Sequence, residues 1–416
     1  MHLTGSRATG KDLEQNGGLL GQSNMAPNLE DLSLADNRKL ASTGLAVLLG
    51  SLDCTHLTSL DLSGTNLKLS GIQSLNSHQA DKVGGARLLR LRRLGLGNTR
   101  LKDMEVNILI NKTDGTVLEE LDLGGTNVTL EEAHRLNANK FPNLAKLSLA
   151  KATRVTDIGL IGFINRLVGS ALTELDLTGT RLALAEAGSL VNTLPRLRLL
   201  NLADCTQVTD RGLVALLNRL DGGRLEVLDL RCTCINLTEA AGGGLTNKLT
   251  GLKQLHLRGC EHVSDRGIFG LLNAIDGSRL ALIDLCFTTV SLSEAGLLTN
   301  RLPGLTRLLL SCESLTDRGL QLLFTRLDGC CLQELDLSFT NVAFNFAATG
   351  DNVINNLPAL MMLDLTGCKA VEEERLLTFL KQVGCVGLCE LRVGQTDRVV
   401  AWEQITENFP SLKIVY

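Results

Sequence analysis

Leucine recurs along most of this chain in the pattern L-x-x-L-x-L. Because alternate side chains of a strand point to opposite faces, each run predicts a short strand with one buried face. All six prolines stand two residues before a leucine that opens such a run. Proline cannot continue a helix, so each one predicts that a helix has ended and a strand is about to begin. The pattern indicates one strand-and-helix unit that repeats along the chain.

The runs recur with a narrow period. They open at Leu29, Leu57, Leu91, Leu118, Leu144, Leu172, Leu197, Leu225, Leu252, Leu280, Leu305, Leu332, Leu360 and Leu388, with a remnant at Leu412. Most steps are 25 to 28 residues, whereas the step after Leu57 is 34 residues and the last step is 24. A period of roughly 20–29 residues with this head resembles the leucine-rich repeat. The resemblance implies an α/β solenoid (horseshoe) of about 14 repeats, with a parallel β-sheet on the concave face and helices on the convex face.

Two kinds of repeat alternate, so the true unit is a pair of about 54 residues. One kind follows its strand with a cysteine or its substitute and then V-T-D-R-G-L or a close variant, and every proline opens a repeat of this kind. Its aspartates Asp210, Asp265 and Asp317 are predicted to cap the next helix. The Asp-Gly pairs further along are predicted to end that helix with a left-handed glycine. The other kind carries a threonine after its strand and then a Thr/Ser-Glu-Ala helix start.

One position, three residues after the last leucine of each strand, holds a small residue throughout. Its members are Asn37, Thr65, Thr99, Thr126, Ala152, Thr180, Cys205, Thr233, Cys260, Thr288, Thr340, Cys368 and Thr396, with Cys312 one residue early. This ladder position is expected to face the interior, where threonine and asparagine can satisfy backbone groups. The pattern resembles ribonuclease-inhibitor-like and cysteine-containing leucine-rich repeats, the latter best known from F-box substrate receptors and mitotic-exit antagonists.

The spacing of the cysteines indicates the cellular compartment of the protein. Ladder cysteines recur once per pair of repeats, about 10 Å apart, which is too far for a disulfide. The other close cysteine groups lack a histidine or a second Cys-x-x-Cys to complete a zinc site. We therefore predict no metal and no cofactor. A reducing, cytoplasmic compartment is expected, including association with a cytoskeletal, ciliary or ribosomal complex.

The composition and the motifs exclude several classes of function. A net charge of −4 does not indicate direct nucleic-acid binding, and no apolar stretch is long enough to span a membrane. Because the chain has no phosphate loop, nucleophile elbow or metal-ligand motif, it is predicted not to be an enzyme. Residues 1–27 are predicted to form a disordered or extended tail, and residues 28–416 a single solenoid with an incomplete last repeat.

The residues beside each middle strand leucine point out of the sheet. Threonine-type strands carry the acids Glu120, Asp122, Glu174, Asp176, Asp229, Asp284, Glu334 and Asp336; cysteine-type strands carry Lys146, Asn201, Gln254, His256 and Arg307; Arg93 is basic although its strand is threonine-type. Two interpretations stay open. Neighbouring strands can pair their charges across the sheet, or the acids can form a stripe for a basic partner.

The C-terminal half offers the best candidate binding surface. The predicted partner-binding residues are Leu199, Val227, Leu282, Phe287, Leu309, Phe339, Met362, Asp229, Asp284 and Asp336. Phe287 and Phe339 stand where other repeats carry glycine. Outward apolar and aromatic residues are typical of an interface core, unless loops or neighbouring side chains cover them.

The leading functional hypothesis is a non-enzymatic protein–protein interaction scaffold, a structural or adaptor subunit of a larger intracellular assembly. It would bind proteins with a basic or apolar surface through the concave face and the ascending edge, where strands run into the loops that follow them. The resemblance to F-box repeats implies an alternative, substrate recognition for a ubiquitin ligase. A second alternative is regulation of a small GTPase, as by Ran-type leucine-rich activators, whose motif is not recognisable here.

Overall fold

The computed structural model describes residues 7–9, 29–38, 54–67, 88–135, 141–167, 171–346, 355–394 and 402–416. The chain divides into two compact units, residues 1–200 and 201–416. The predicted tail lies outside the described residues apart from Arg7–Thr9, and so does the ladder residue Thr396. The single solenoid over residues 28–416 stays a prediction.

Unit 1 is a parallel sheet backed by helices. Its strands are β1 (Arg7–Thr9), β2 (Asp31–Ser33), β3 (Ser59–Asp61), β4 (Arg93–Gly95), β5 (Glu120–Asp122), β6 (Lys146–Ser148) and β7 (Glu174–Asp176), each paired with the next in sequence. Its α-helices are α1 (Asp103–Lys112) and α2 (Asp157–Asn165); the 3-10 helices are Cys54–His56, Glu131–Arg135 and Ala187–Ser189. The middle leucines pair in register, as Leu60 does with Leu94.

Unit 2 repeats the same plan, and the division between the units falls within β8 (Leu199–Asn201), whose first two residues belong to unit 1. Its further strands are β9 (Val227–Asp229), β10 (Gln254–His256), β11 (Leu282–Asp284), β12 (Arg307–Leu309), β13 (Glu334–Asp336), β14 (Met362–Asp364), β15 (Glu390–Arg392) and β16 (Lys413–Val415), again parallel and in chain order. Its α-helices are α3 (Asp210–Leu217), α4 (Thr238–Ala241), α5 (Asp265–Ala274), α6 (Asp317–Arg326), α7 (Glu373–Gln382) and α8 (Glu403–Asn408); the 3-10 helices are Gly277–Arg279, Ala295–Leu297 and Gly329–Cys331. These parallel strands and helices confirm the predicted leucine-rich-repeat solenoid.

Long and short helices alternate with the two kinds of repeat. Helices of 8 to 10 residues follow the cysteine-type strands, as α5 does. The Thr/Ser-Glu-Ala starts give only a turn, four residues in α4 and three in Ala295–Leu297. Glycine follows closely in these short segments and disfavours a longer helix. Arg93 is a basic residue on the strand of a repeat whose ladder residue is Thr99. That repeat nevertheless has the long helix α1, like the cysteine-type repeats, so a basic strand residue fits the alternation there.

The ladder residues explain why threonine and cysteine alternate. Thr233 Oγ1 donates to the Leu230 carbonyl at 2.7 Å, and Cys260 Sγ of the next repeat donates to the same carbonyl at 2.9 Å. The same sharing recurs at Leu285, between Thr288 and Cys312. One buried carbonyl therefore accepts from both repeats of a pair, which ties the pair together.

The motif aspartates do not cap their own helices. Thr209, Ser264 and Thr316 are the N-caps, and each accepts a hydrogen bond from the amide of the motif glycine. Because that cap is already made, the next residue is free to bond elsewhere. Asp265 accepts from the Ser291 and Leu292 amides at 2.8 and 3.0 Å. Asp210 and Asp317 likewise bond loop amides of the following repeat, so these carboxylates join repeats.

The glycines of the Asp-Gly pairs do not adopt the predicted left-handed conformation. Close packing against the next repeat requires them instead. A Cβ on Gly277 would lie 2.7 Å from the Asn300 Nδ2, and a Cβ on Gly329 would lie 2.7 Å from the Asn356 carbonyl oxygen. The helices before these glycines end in extended residues, Ile275 and Leu327.

Candidate partner-binding surface

The open face of the unit 2 sheet is formed by the residues on either side of each buried middle strand residue. They form two rows across neighbouring strands. The first row is Val227, Gln254, Leu282, Arg307, Glu334 and Met362; the second is Asp229, His256, Asp284, Leu309, Asp336 and Asp364. These rows bring together most of the predicted partner-binding residues, whereas Leu199 belongs to unit 1.

The apolar members of the rows are only partly accessible. Val227, Leu309 and Met362 are half-buried. Leu282 is predicted to be exposed, but the residue is only 7% exposed. The long side chains of Gln254 and Arg307 flank it on the neighbouring strands, about 5 Å away. Leu282 therefore contributes little surface to a partner.

Two of the predicted carboxylates are satisfied within the chain. Asp229 is buried and accepts from the Arg231 Nε at 2.9 Å and Nη2 at 2.6 Å. Asp284 is also buried, with its Oδ2 4.0 Å from the His256 Nδ1. Burial alone would raise the pKa of Asp284, but the nearby His256 ring and the hydrogen bond from the Cys286 amide outweigh it and lower that pKa. Neither carboxylate is left for a partner.

The third predicted carboxylate of the second row, Asp336, has fewer partners within the chain. Its carboxylate accepts from the Ser338 amide at 2.8 Å, and it forms no ion pair with any residue that the structure describes. Burial raises the pKa of Asp336, and the charges of Asp364 and Glu334 add to the rise. Among the described residues, Asp336 therefore has no cation partner of its own.

Ion pairs across neighbouring strands confirm the charge-pairing interpretation for several positions. They join Arg307 to Glu334 at 3.0 Å and Arg392 to Asp364 at 3.6 Å in unit 2, and Lys146 to Glu174 at 3.1 Å in unit 1. Arg93 of β4 instead reaches across β3 to Asp31 of β2, at 3.2 Å. The arginine and lysine side chains of these pairs are about half exposed, so each pair stabilises the fold by at most about 1 kcal/mol.

Phe287 and Phe339, which we call the aromatic edge, occupy the loop just after their strands. Their φ angles are +57° and +56°, and the residues are 51% and 47% exposed. At the same position of their repeats, Gly259 and Gly367 have φ of +72° and +74°. Phe287 and Phe339 therefore do occupy a loop position where other repeats carry a left-handed glycine. The left-handed conformation costs a non-glycine residue about 1–2 kcal/mol. Asp204 and Cys232 share it at the same loop position, so Phe287 and Phe339 differ from these repeats of unit 2 in their exposed aromatic rings and not in their backbone.

The two rings have different surroundings. The Arg258 guanidinium lies 4.4 Å from the centroid of the Phe287 ring, a cation–π contact. The Phe339 ring lies over Gly367, where a Cβ would be only 2.6 Å from its Cδ1. At the position that corresponds to Arg258, the repeat before Phe339 has the buried Ser311. Among the described residues, the Phe339 ring has no cation partner.

Unit 1 has a cleft on its own open face that sequence reasoning missed. The cleft has a volume of about 470 Å³ and is lined by residues of β3 to β7, with Asp61, Asp122 and Asp176 among them. Its space exists because Gly95 in β4 and Ser148 in β6 are small. The sequence signal for this cleft is the small residue at the third position of these two strands.

The described residues offer little for other chemistry. They contain no group of three or more metal-ligating side chains that could hold an ion. Within those residues, no helix is long and apolar enough to cross a membrane. Ten cysteines whose side chains the structure describes are free thiols, and Cys232, Cys234 and Cys389 among them are exposed.

A family model described as "Leucine Rich repeat" matches residues 53–75 and 194–217. Both matches contain the L-x-x-L-x-L run with the ladder position after it. This chain is a leucine-rich repeat protein. Which subfamily of leucine-rich repeat it belongs to stays a prediction.

Solved structures are similar to this leucine-rich repeat protein over most of its length. The Rad7 and Elc1 complex in yeast matches at 18% identity and a TM-score of 0.40, covering 90% of each chain. An internalin (inlF) from Listeria monocytogenes matches at 15% identity and a TM-score of 0.40, covering 89% of this chain and 82% of the internalin. The TLR13–ssRNA13 complex matches at 17% identity and a TM-score of 0.46, covering 94% of this chain and 57% of that one.

Leucine-rich repeat proteins are typically non-enzymatic interaction scaffolds, and the surface of this one is consistent with that role. Its second row offers the Asp336 carboxylate, and its aromatic edge offers two exposed rings in the loops that follow the strands. Aromatic side chains supply large contact area at low entropic cost, which is why they are enriched at protein interfaces.

Proposed function

We propose that this leucine-rich repeat protein is a non-enzymatic interaction scaffold, a structural or adaptor subunit of a larger intracellular assembly. It binds a protein partner through the open face of unit 2 and the aromatic edge. The observation that carries the proposal is the pair Phe287 and Phe339, which are exposed and held in the left-handed conformation. Asp204 and Cys232 share this conformation at the same loop position, so the exposed aromatic rings are what distinguish this surface.

Glycine would remove the strain at both positions without harming the core, since neither ring is buried. Retaining phenylalanine therefore sacrifices stability for two exposed rings. A partner that covers the rings would recover this cost through apolar burial, at roughly 25 cal/mol per Å². We expect the partner's contact surface to be apolar or basic, because Asp336 lies on the same strand end.

The test combines affinity purification with the variant Phe287→Gly/Phe339→Gly. Partners recovered in stoichiometric amounts with the unchanged protein should be lost with the double variant, whose thermal stability should be equal or higher. Leu297→Ala is the matched control, because Leu297 is 52% exposed but lies in a short helix away from the open face. Equal partner recovery by the double variant would reject the proposed surface.

The identity of the recovered partners also separates the alternatives. A ubiquitin-ligase core subunit among them would favour substrate recognition for a ligase. Acceleration of single-turnover GTP hydrolysis by a small GTPase would favour the regulatory alternative. A reducing, cytoplasmic location fits the ladder cysteines, since Cys260, Cys312 and Cys368 use their thiols as hydrogen-bond donors.

A further inference from the structure

The Phe339 end of the aromatic edge combines an aromatic face with an unmet negative charge. Phe339 shares its backbone conformation and exposure with Phe287, yet only Phe287 carries a cation, that of Arg258. The difference arises because the preceding repeat has Ser311 where the repeat before Phe287 has Arg258. Phe339 thus has the geometry of a cation–π site within the described residues but no cation.

The Asp336 carboxylate, on the strand that leads to Phe339, also has no cation partner among the described residues. In register, Asp336 lies between Leu309 and Asp364. The nearby arginines are already engaged, Arg307 by Glu334 and Arg392 by Glu390 and Asp364. The Ser338 amide donates to the Asp336 Oδ1, which turns that carboxylate toward the loop of Phe339. The surface therefore presents an aromatic face and a carboxylate at one strand end, with negative charge in excess.

Arginine fits this pair of groups better than lysine does. Its guanidinium is planar, so it can stack on an aromatic ring while its N–H groups donate to a carboxylate. The lysine ammonium is a compact, strongly hydrated charge that cannot do both as well. Resting on the function proposed above, we propose that the partner contributes an arginine side chain whose guanidinium lies on the Phe339 ring and pairs with Asp336.

The probe is a fluorescent nonapeptide of alternating arginine and glycine, compared with its lysine and citrulline counterparts by titration against the full chain. The arginine peptide should bind several-fold tighter than the lysine peptide, and the neutral citrulline peptide should lose at least about tenfold in affinity. Asp336→Asn and Phe339→Leu should each weaken the arginine peptide by about five- to tenfold. Phe339→Tyr keeps an aromatic face and should bind within about twofold.

Asp122→Asn is the matched charge control, because Asp122 lies in the acidic cleft of unit 1. It should change the affinity for the arginine peptide by less than about twofold. The inference is overturned if the arginine peptide does not bind, if Asp336→Asn and Phe339→Leu bind it like the unchanged protein, or if Asp122→Asn weakens it as much. Loss of the native partner from Phe287→Gly/Phe339→Gly but not from Asp336→Asn would reject this inference alone. Retention of the partner by the glycine double variant would reject the proposed function itself.

Discussion

Asp265 connects two repeats of unit 2 through one carboxylate. It accepts from the amides of Ser291, Leu292 and Glu294 at 2.8, 3.0 and 3.2 Å. It also accepts from the hydroxyls of Ser291 and Ser293 at 2.9 and 3.0 Å. We predict that Asp265→Asn destabilises unit 2, because an amide side chain loses the charge and presents N–H groups where some of these donors point.

The magnitude follows from the bonds that the asparagine cannot keep. Its carbonyl can still accept from the Ser291 and Leu292 amides, whereas its NH₂ group faces the Glu294 amide. Hydrogen bonds to a charged group contribute about 1.5–3 kcal/mol, and leaving a donor unsatisfied costs about 1–3 kcal/mol. We expect a loss of about 2–3 kcal/mol in the free energy of unfolding at neutral pH. Asp276→Asn is the control, since Asp276 caps a 3-10 helix through one amide and asparagine is an equally good cap.

Urea unfolding followed by circular dichroism measures the global loss, and hydrogen exchange at residues 291–294 measures the local one. The pH dependence gives a second check. Burial alone would raise the pKa of Asp265, but its hydrogen bonds, that from the Ser291 side chain foremost, outweigh burial and lower it. A lowered pKa means that the stabilisation is present above the unfolded pKa, about 3.9, and is lost as pH falls through the folded value. The deficit of Asp265→Asn should thus be full at pH 7 and shrink below about pH 4. A variant within about 0.5 kcal/mol of the unchanged protein at pH 7 would refute the reasoning.

Three further changes test other parts of unit 2. Asp336→Asn should raise the melting temperature at pH 7, because the folded pKa of Asp336 is raised and its ionised form is unfavourable there; the gain should vanish below about pH 4, where the carboxyl is protonated in both states. Gly277→Ala should cost about 1–3 kcal/mol in urea unfolding, since its Cβ would collide with the next repeat. Thr288→Val and Cys312→Ala together should cost more than the sum of the single changes, because the Leu285 carbonyl accepts from both side chains and in the double variant keeps only the long bond from the Thr288 amide, at 3.3 Å; strict additivity would contradict the shared bond.

The sequence predicts the features that depend on residues within one repeat. The L-x-x-L-x-L runs locate the strands, because leucine alternation and the proline positions are local signals. The glycine-like loop position of Phe287 follows from comparing repeats with one another. The ladder alternation is visible in the sequence, but the sharing of one carbonyl, as at Leu285, needs the register between repeats.

Features that depend on packing between repeats were predicted wrongly or not at all. Asp265 looked like a helix cap because Asp before a helix usually is one, and only the structure shows that Ser264 takes that role. Leu282 looked exposed because strand alternation says which face a side chain is on, not what covers it. A pairing of asparagines was also missed: Asn273 accepts from the Asn300 amide while the Asn300 side chain donates to the Leu272 carbonyl. Such bonds join positions 27 residues apart and leave no local signal.

The aromatic edge can remain strained because bonds on both sides of it fix the backbone. The Phe287 amide donates to the Ser311 carbonyl at 2.8 Å, and the next residue, Thr288, is a buried ladder residue. Phe339 has the same arrangement, with its amide 2.7 Å from the Thr366 carbonyl and Thr340 buried beside it. Relaxing either phenylalanine to negative φ would therefore break a backbone bond and disturb a ladder bond, at a cost of at least about 1 kcal/mol for each. Because that cost matches or exceeds the strain, the ladder holds the two rings outward whether or not a partner is bound, and the binding surface is preorganised by the same bonds that join the repeats.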